Sequence, residues 1–214
     1  MKTVVVTGGT TRIGQAIAER LRADGWRVLT SSHRADAGAD IVADLSEPLG
    51  AAKLYAAALG LLGGNPPDAL VNNAALFTGG EAEARSVGFD APKKLTMMMA
   101  GRETGIGAVV NVLDAAVTER PDPATHAAPA YVEAKRDLRA FTLSSAMLFA
   151  ATLRVNGVAP GPVLAPEGVH EKAGELLLAH RPTPEDVADA VAFLLSAEAT
   201  TGCIVPVDGG GSLL

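Results

Sequence analysis

Residues 4–14 read VVVTGGTTRIG, and this stretch decides the fold of the chain. The β-branched apolar run from Val4 to Val6 predicts a short strand that is buried on both faces. Gly8 and Gly9 interrupt the run, and apolar residues then recur at helical spacing, at Ile13, Ala16, Ile17 and Leu21. A strand that passes through a glycine-bearing turn into a helix predicts the first unit of a parallel sheet.

The alternation of strands and helices continues along almost the whole chain. Further strands are predicted at residues 26–31, 40–43, 69–71, 108–113, 153–158 and 203–207. Helices are predicted at residues 49–62 and 130–148, and another begins at Thr183, where Pro184 and two acidic residues follow. Residues 78–107 show weak periodicity. The sequence therefore predicts an α/β fold: one doubly wound Rossmann-type domain over residues 1–214, with about seven parallel strands flanked by helices and a shortened region between strands 4 and 5.

The composition excludes several classes of protein. The net charge of −6 argues against a nucleic-acid partner, which normally requires a basic surface. The single Cys203 excludes an intramolecular disulfide and is typical of a reducing cytoplasm. The most apolar stretch, residues 49–62, is too short to span a bilayer, and Met1 leads directly into a strand rather than a signal peptide. We expect a cytoplasmic protein with a small-molecule substrate, no membrane association and no metal site.

The turn after the first strand has the composition of a phosphate-binding site. Glycines allow close approach of backbone N–H groups, and a helix N-terminus attracts anions. The spacing departs from G-x-G-x-x-G, and Arg12 stands where a glycine is expected. We interpret the turn as a dinucleotide site, with an ordinary glycine-rich turn as the alternative. The predicted cofactor-binding residues are Gly8, Thr10, Thr11, Arg12, Ile13 and Gly14.

The end of the second strand distinguishes between cofactors. NAD enzymes place an acidic residue there to bind the ribose hydroxyls. This chain has Ser31-Ser32-His33-Arg34, and Arg34 with His33 suits a 2′-phosphate. The sequence predicts NADP(H) in preference to NAD(H). Asp36, two residues further on, keeps NAD open as the alternative.

Tyr131 and Lys135 lie four residues apart on one predicted helix and therefore share a face. A nearby ammonium favours the phenolate, so the spacing predicts a lowered pKa for Tyr131. A phenol of that kind is suited to proton transfer near neutral pH. Together with a hydride-carrying dinucleotide, this pair predicts a reductase.

Six ordered motifs resemble the short-chain dehydrogenase/reductase family over nearly the whole chain. They are TG…G at residues 7–14, DL at 44–45, NNAA at 72–75, YxxxK at 131–135, RVNGVAPG at 154–161 and PVDGG at 206–210. The resemblance implies that Asp44 contacts the adenine and that Lys135 binds the nicotinamide ribose. It adds a further set of cofactor-binding residues: Leu45, Asn73, Ala74, Ala75, Tyr131, Pro160, Gly161 and Val163.

Within the family, the chain is similar to the pteridine reductases and related dihydromonapterin and dihydrofolate reductases. Asp114 replaces the usual strand-end serine, and Arg12 and Phe77 complete the likeness. The resemblance implies catalysis by Asp114, Tyr131 and Lys135, and substrate binding by Arg12, Phe77, Asp114 and Tyr131. Phe77 would stack the pterin on the nicotinamide. The alternatives are a turn-capping Asp114 and a core Phe77.

The resemblance also implies features that the sequence does not place. We expect a long helix before the fifth strand, with an asparagine of a proton relay on it, and a substrate lid after Pro160. We also expect a homo-oligomer, either a dimer or a tetramer. Three functions stay open: a pterin or folate reductase, a general carbonyl reductase, and a non-catalytic NADP-binding regulator.

Overall fold

The structure is a computed structural model that describes residues 1–77, 80–103, 105–115, 129–164 and 176–214. In that part of the chain, seven parallel strands form one sheet in the order β3-β2-β1-β4-β5-β6-β7. The strands are β1 Thr3–Thr7, β2 Arg27–Ser32, β3 Ile41–Val42, β4 Ala69–Asn72, β5 Gly107–Val112, β6 Leu153–Pro160 and β7 Ile204–Val207. The helices are α1 Arg12–Ala23, α2 Gly50–Leu61, α3 Glu81–Arg85, α4 Ala91–Ala100, α5 Pro129–Leu148 and α6 Pro184–Ser196.

The strand order places a crevice between β1 and β4. From β1 the chain crosses to β2 on one side, and it later returns to β4 on the other. Such a reversal leaves the carboxyl ends of the two strands uncovered, and open α/β sheets bind ligands there. Since Val6 pairs with Val71, the turn at Gly8 and the residues after Asn72 lie at the same edge of the sheet.

The core lies on both faces of the sheet, as the run of three valines predicts. Val4 and Val6 pack in one cluster with residues of α1 and α6, such as Ile17 and Leu194. Val5 packs in the other cluster with residues of α2 and α4. Burial of one such side chain contributes about 1.5–3 kcal/mol, so this first strand anchors the turn that follows it.

The predicted elements are confirmed, with different ends at several of them. β3 has two residues instead of four, because it pairs only with Ser31 and Ser32 at the end of β2. β6 extends to Pro160, since its last two residues still pair with β7. The expected start of α6 is present: Thr183 caps the helix and exchanges hydrogen bonds with Asp186.

The weakly periodic segment before β5 contains a helix that the sequence pattern did not reveal. α3, a π-helical turn over Ser86–Asp90, and α4 run on without a break from Glu81 to Ala100. Gly88 in the π turn packs against Ala134 of α5, where an added Cβ would lie 3.0 Å from that methyl group. The helix implied by the resemblance is therefore present, but residues 81–100 contain no asparagine for the expected proton relay.

None of the helices in the described ranges is both long enough and apolar enough to cross a bilayer.

Candidate active site

The glycine turn after β1 has the geometry of an anion site. Gly8 has a φ of +61°, which favours glycine, and Gly14 faces it so closely that an added Cβ would overlap the Gly8 carbonyl oxygen. Thr11 occupies the N-cap of α1 but makes no side-chain cap, and the first turn carries no acidic residue. The start of α6 is capped by Thr183 and carries two acids, so its N-terminus is already satisfied. The start of α1 is left open for a negatively charged group.

Arg12 adopts the left-handed backbone conformation that a glycine would suit. Its φ is +53°. Among the described residues, Arg12 alone has a positive φ without being a glycine. This conformation costs an L-residue about 1–2 kcal/mol. The exposed Arg12 side chain at the first position of α1 is therefore retained at a cost to the fold.

Thr7 and Asn73 join the turn to the end of β4. Asn73 donates through Nδ2 to the carbonyl oxygens of Thr7 and Gly8, at 2.9 and 3.1 Å. The Thr7 hydroxyl oxygen accepts from the backbone N–H groups of Asn73 and Ala74, both at 3.0 Å. Sequence analysis missed the role of Thr7, although its place directly before two glycines is a usable signal. Ala74 is half-buried here and Ala75 is exposed.

Beyond β2, Arg34 is held by a neighbouring carboxylate. Its Nε and Nη2 donate to the two oxygens of Asp36, at 3.1 and 3.2 Å. Hydrogen bonding and charge from Arg34, together with the charge of His33, lower the pKa of Asp36. His33 and Arg34 are both exposed, so the cationic pair lies on the surface at the carboxyl end of β2.

Asp44 and Leu45 lie after β3 and differ in exposure. Asp44 is exposed, and its Oδ1 accepts from the N–H and the hydroxyl of Ser46, at 2.9 and 2.7 Å. These two hydrogen bonds lower the pKa of Asp44. Leu45 is buried in the core cluster that contains Val5.

Three predicted residues meet beyond the end of β5. The Tyr131 hydroxyl donates to Asp114 Oδ2 at 2.9 Å. The Phe77 ring lies 5.3 Å from the Tyr131 ring, tilted by 59°. Phe77 is half-buried and belongs to neither large core cluster, which disfavours its interpretation as a core aromatic. The segment from Asn73 to Phe77 thus links the glycine turn to the phenol.

The expected lowering of the Tyr131 pKa is wrong for this structure. Burial raises the pKa of Tyr131 well above its ordinary value, and both the charge of Asp114 and the hydrogen bond to it act in the same direction. A phenolate beside an ionised carboxylate would repel it. Tyr131 therefore keeps its proton at neutral pH, because burial raises its pKa most and Asp114 raises it further.

Lys135 is buried beneath the phenol. Its Nζ donates to the carbonyl oxygen of Val112 at 2.6 Å and lies 5.6 Å from the centre of the Tyr131 ring. Burial lowers the pKa of Lys135 to about 8, although the charge of Asp114 acts in the opposite direction. The ammonium is charged at neutral pH, and its remaining N–H groups can serve a ligand.

A buried chain of polar side chains that sequence analysis missed lies under Lys135. Asn72 donates to Asn111 Oδ1 at 2.8 Å, and Asn111 donates to the hydroxyl of Thr142 at 2.9 Å. The chain ties β4, β5 and α5 together below the site. The Oδ1 atom of Asn72 is buried and has no hydrogen-bond partner within the described residues. The two hydrogen bonds along the chain hold together the elements that carry Asp114 and Lys135.

The end of β6 forms the far side of the crevice. Pro160 and Val163 are buried, and Gly161 lies against Asp208, where an added Cβ would be 2.7 Å from the Asp208 Cα. Gly161 is therefore needed for the contact with the β7 end. The lid expected after Pro160 falls largely on residues 165–175, outside the described residues.

Comparisons with known proteins agree with this architecture. Residues 81–212 match a family model described as enoyl-(acyl carrier protein) reductase. The chain is 31% identical to the granaticin polyketide synthase putative ketoacyl reductase 2 of Streptomyces violaceoruber, covering 98% of this chain and 96% of the relative. It is 33% identical to galactitol 2-dehydrogenase of Rhizobium johnstonii, covering 96% and 93%.

Solved structures resemble the chain over its whole length. FolM alternative dihydrofolate reductase 1 from Brucella canis, in complex with NADP, superposes with a TM-score of 0.84 at 28% identity, covering 100% of this chain and 95% of that one. The same protein from Brucella suis, also with NADP, gives a TM-score of 0.84 at 28% identity and covers 96% of that chain.

Proposed function

Because this chain belongs to the short-chain dehydrogenase/reductase family, we propose that it is an NADPH-dependent oxidoreductase that reduces a pterin- or dihydrofolate-like ring. The observation that carries the proposal is the grouping of Asp114, Tyr131 and Phe77 in one place: a hydrogen-bond acceptor, a proton donor and an aromatic face. The likeness to dihydrofolate reductases that bind NADP supports the same conclusion.

The residues at the crevice fit a dinucleotide. The start of α1 has no side-chain cap and no acid in its first turn, and Arg12 adds a positive charge. The buried Gly14 lets the helix approach the turn closely, where a larger residue would overlap Gly8. A pyrophosphate satisfies such a helix end. A reduced nicotinamide, when bound, supplies the hydride.

The proposed cofactor contacts follow the edge of the sheet from β1 to β6. The residues are Gly8, Thr10, Thr11, Arg12, Ile13, Gly14, His33, Arg34, Asp44, Leu45, Asn73, Ala74, Ala75, Tyr131, Lys135, Pro160, Gly161 and Val163. Arg34 and His33 carry the preference for NADP(H) over NAD(H), because a guanidinium pairs well with a phosphate group. The NADP complexes of the structural relatives support the binding of NADP(H).

Asp114 and Tyr131 divide the proton chemistry between them. The carboxylate of Asp114 accepts N–H groups from the amide edge of a pterin. A substrate that donates to Asp114 replaces Tyr131 as its hydrogen-bond donor and releases the hydroxyl to the ring nitrogen. Since the pKa of Tyr131 is raised by burial and by Asp114, the phenol holds its proton until a basic nitrogen is brought to it.

Lys135 and Phe77 position the reacting groups. Lys135 is anchored by Val112, so its ammonium is fixed beside the Tyr131 ring and can hold the ribose. The half-buried Phe77 ring offers a flat surface next to the phenol. A planar heterocycle stacked there is held at a constant distance from the proton donor, which lowers the entropic part of the barrier.

A carbonyl reductase is the second candidate, because the relatives include a ketoacyl reductase and a galactitol dehydrogenase by name. In that case Asp114 orients a carbonyl substrate through Tyr131. The two functions differ in their dependence on the Asp114 charge, since a carbonyl oxygen has no N–H for a carboxylate to accept.

The test is NADPH oxidation followed by absorbance with dihydrobiopterin, dihydrofolate and a simple ketone. We expect turnover of at least one pterin, and a fall of about 100-fold or more in kcat/KM in Asp114→Asn. Asp24→Asn, which removes an exposed carboxylate at the far end of α1, is the control and should change nothing. Ketone turnover that is indifferent to Asp114→Asn, with no pterin turnover, would replace the first function by the second.

A further inference from the structure

We propose that Arg181 binds a carboxylate on the tail of the substrate, so that the site selects a folate-like molecule over a simple pterin. The proposal rests on the proposed function, because it requires the pterin ring to lie beside Phe77 and Tyr131. Arg181 belongs neither to the proposed cofactor contacts nor to the groups that handle the proton.

The guanidinium of Arg181 has a buried edge with no acceptor. Its Nε and Nη2 are both shielded from solvent, and neither has a hydrogen-bond partner within the described residues. These two nitrogens form the edge that binds a carboxylate through two parallel hydrogen bonds. A buried charge is strongly destabilising unless it is paired, so this edge is suited to an anionic group.

The carboxylates closest to Arg181 along the chain and at the neighbouring turn bind other donors. Asp186 Oδ2 accepts from the N–H and the hydroxyl of Thr183, at 2.8 and 3.2 Å. The two oxygens of the buried Asp208 accept from the N–H groups of Gly210 and Ser212, at 2.9 and 2.8 Å. Because both carboxylates hold backbone in place, the anion for Arg181 is supplied by a ligand.

The segment that carries Arg181 lies against the turn after β7. The N–H of Leu178 donates to the Gly209 carbonyl oxygen at 2.9 Å. The same turn contacts Gly161, where an added Cβ would lie 2.7 Å from the Asp208 Cα. Arg181 therefore lies at the carboxyl edge of the sheet, on the side of the crevice that the ends of β6 and β7 form.

A cavity adjoins the backbone of Arg181. His180 and Pro182, the residues on either side of it, line this cavity together with the turn after β7, and its volume is about 300 Å³. Cavities of this size hold small organic groups. The structure thus has room next to Arg181 for the part of a substrate that extends beyond its ring.

The distance between the phenol and Arg181 suits a long substrate. In the sheet, β6 separates β5, whose end carries Asp114, from β7. Neighbouring strands lie about 4.8 Å apart, so the ends of β5 and β7 are about 10 Å apart. A simple pterin ends close to its ring, whereas the aminobenzoyl-glutamate tail of a folate extends away from the ring and ends in two carboxylates. A folate-like substrate can therefore reach both places at once.

The experiment is a steady-state measurement of NADPH oxidation with dihydrofolate, its dimethyl ester and dihydrobiopterin. The ester keeps the ring and the tail but carries no carboxylate. In Arg181→Met we expect the KM for dihydrofolate to rise about 10-fold to 100-fold with kcat nearly unchanged, because a charge-assisted pair is lost. The KM values for the ester and for dihydrobiopterin should change little. Arg181→Lys keeps the charge but not the two-pronged edge and should give a smaller rise for dihydrofolate.

Arg139→Met is the matched control. Arg139 lies on α5, one helical turn beyond Lys135 and away from the carboxyl edge. Its Nε is also buried without an acceptor in the described part of the chain, but its Nη2 is not, so it offers no complete edge. Arg139→Met should leave all three KM values unchanged. Urea unfolding of the ligand-free Arg181→Met chain should show no loss of stability, because an unpaired buried charge is removed.

The outcomes separate this proposal from the proposed function. Equal KM values for dihydrofolate and its ester in the wild type, with stability raised by inorganic phosphate, would show that Arg181 holds only a free anion. A rise in KM for all three substrates in Arg181→Met, together with lower stability, would show a structural role. Either result overturns the proposal alone, since the wild type still reduces a pterin. A wild type that reduces none of the three overturns both.

Discussion

Replacement of Lys135 by methionine should stabilise the folded chain while it removes activity. Lys135 is buried, and its pKa is about 8 in place of the ordinary 10.5. Since one pH unit corresponds to about 1.4 kcal/mol, the buried ammonium costs the fold roughly 3 kcal/mol wherever it is charged. Methionine is similar to lysine in length and removes this cost. It also leaves the Val112 carbonyl oxygen without its donor, which destabilises the fold by about 1 kcal/mol. The expected net stabilisation at neutral pH is about 2 kcal/mol.

The pH dependence gives this prediction its sign. Below pH 8 the lysine is protonated in both the folded and the unfolded chain, so the full cost is present. Between about pH 8 and 10.5 the unfolded chain binds the proton and the folded chain does not, so wild-type stability rises with pH. The advantage of Lys135→Met should therefore be constant up to pH 8 and should shrink above it.

Urea unfolding of the cofactor-free protein between pH 6.5 and 9.5 measures this difference. Lys94→Met is the matched control, because Lys94 is exposed and also donates to a backbone carbonyl oxygen, that of Pro48. Lys94→Met should change the free energy of unfolding much less than Lys135→Met does, because no buried charge is removed. A Lys135→Met chain that is less stable than the wild type at pH 7, or a gain that does not change with pH, would refute the reasoning.

Two further substitutions test the glycine turn. Arg12→Gly should leave stability unchanged or raise the melting temperature by up to about 4 °C, because the φ of +53° then carries no steric cost, although glycine loses more chain entropy. It should also weaken NADPH binding about tenfold through the lost positive charge, and a lower melting temperature would contradict the account. Asn73→Ala should lower the free energy of unfolding by about 2 kcal/mol, because the carbonyl oxygens of Thr7 and Gly8 lose their donors, and should weaken NADPH binding. Asn65→Ala, which removes a donor to Leu62 at the opposite end of the sheet, should leave NADPH binding unchanged, and equal losses in the two variants would count against the role of Asn73.

Much of the fold could be predicted because its signals are local. The valines of β1 and the glycines after it define the first strand and turn without reference to the rest of the chain. Thr183 and Pro184 likewise mark the start of α6. The helix before β5 was not recognised, because Gly88 and Pro92 interrupt its pattern. Gly88 is required there by the contact with Ala134, which only the packed structure reveals.

The sequence indicated which residues form the site, but it did not indicate the direction in which the pKa of Tyr131 shifts. The spacing of Tyr131 and Lys135 indicates that the two share a helix face, and it led to the expectation of an acidified phenol. The fold buries the Tyr131 hydroxyl and brings Asp114 to within 2.9 Å of it. Burial, and to a smaller extent Asp114, raise the pKa of Tyr131 instead of lowering it. A contact across the fold cannot be inferred from helical spacing. The assembly of the protein as a homo-oligomer stays a prediction.

The central claim is that Tyr131 gives its proton to a pterin-like ring during hydride transfer. A single-turnover measurement of NADPH oxidation, with saturating dihydrobiopterin and dihydrofolate in turn, tests it in the wild type and in Tyr131→Phe. Tyr55→Phe is the control, since its hydroxyl donates to Met98 far from the crevice. We expect a rate about 100-fold to 10,000-fold lower in Tyr131→Phe, with NADPH affinity and the Tyr55→Phe rate nearly unchanged. Equal rates in the wild type and Tyr131→Phe would contradict it.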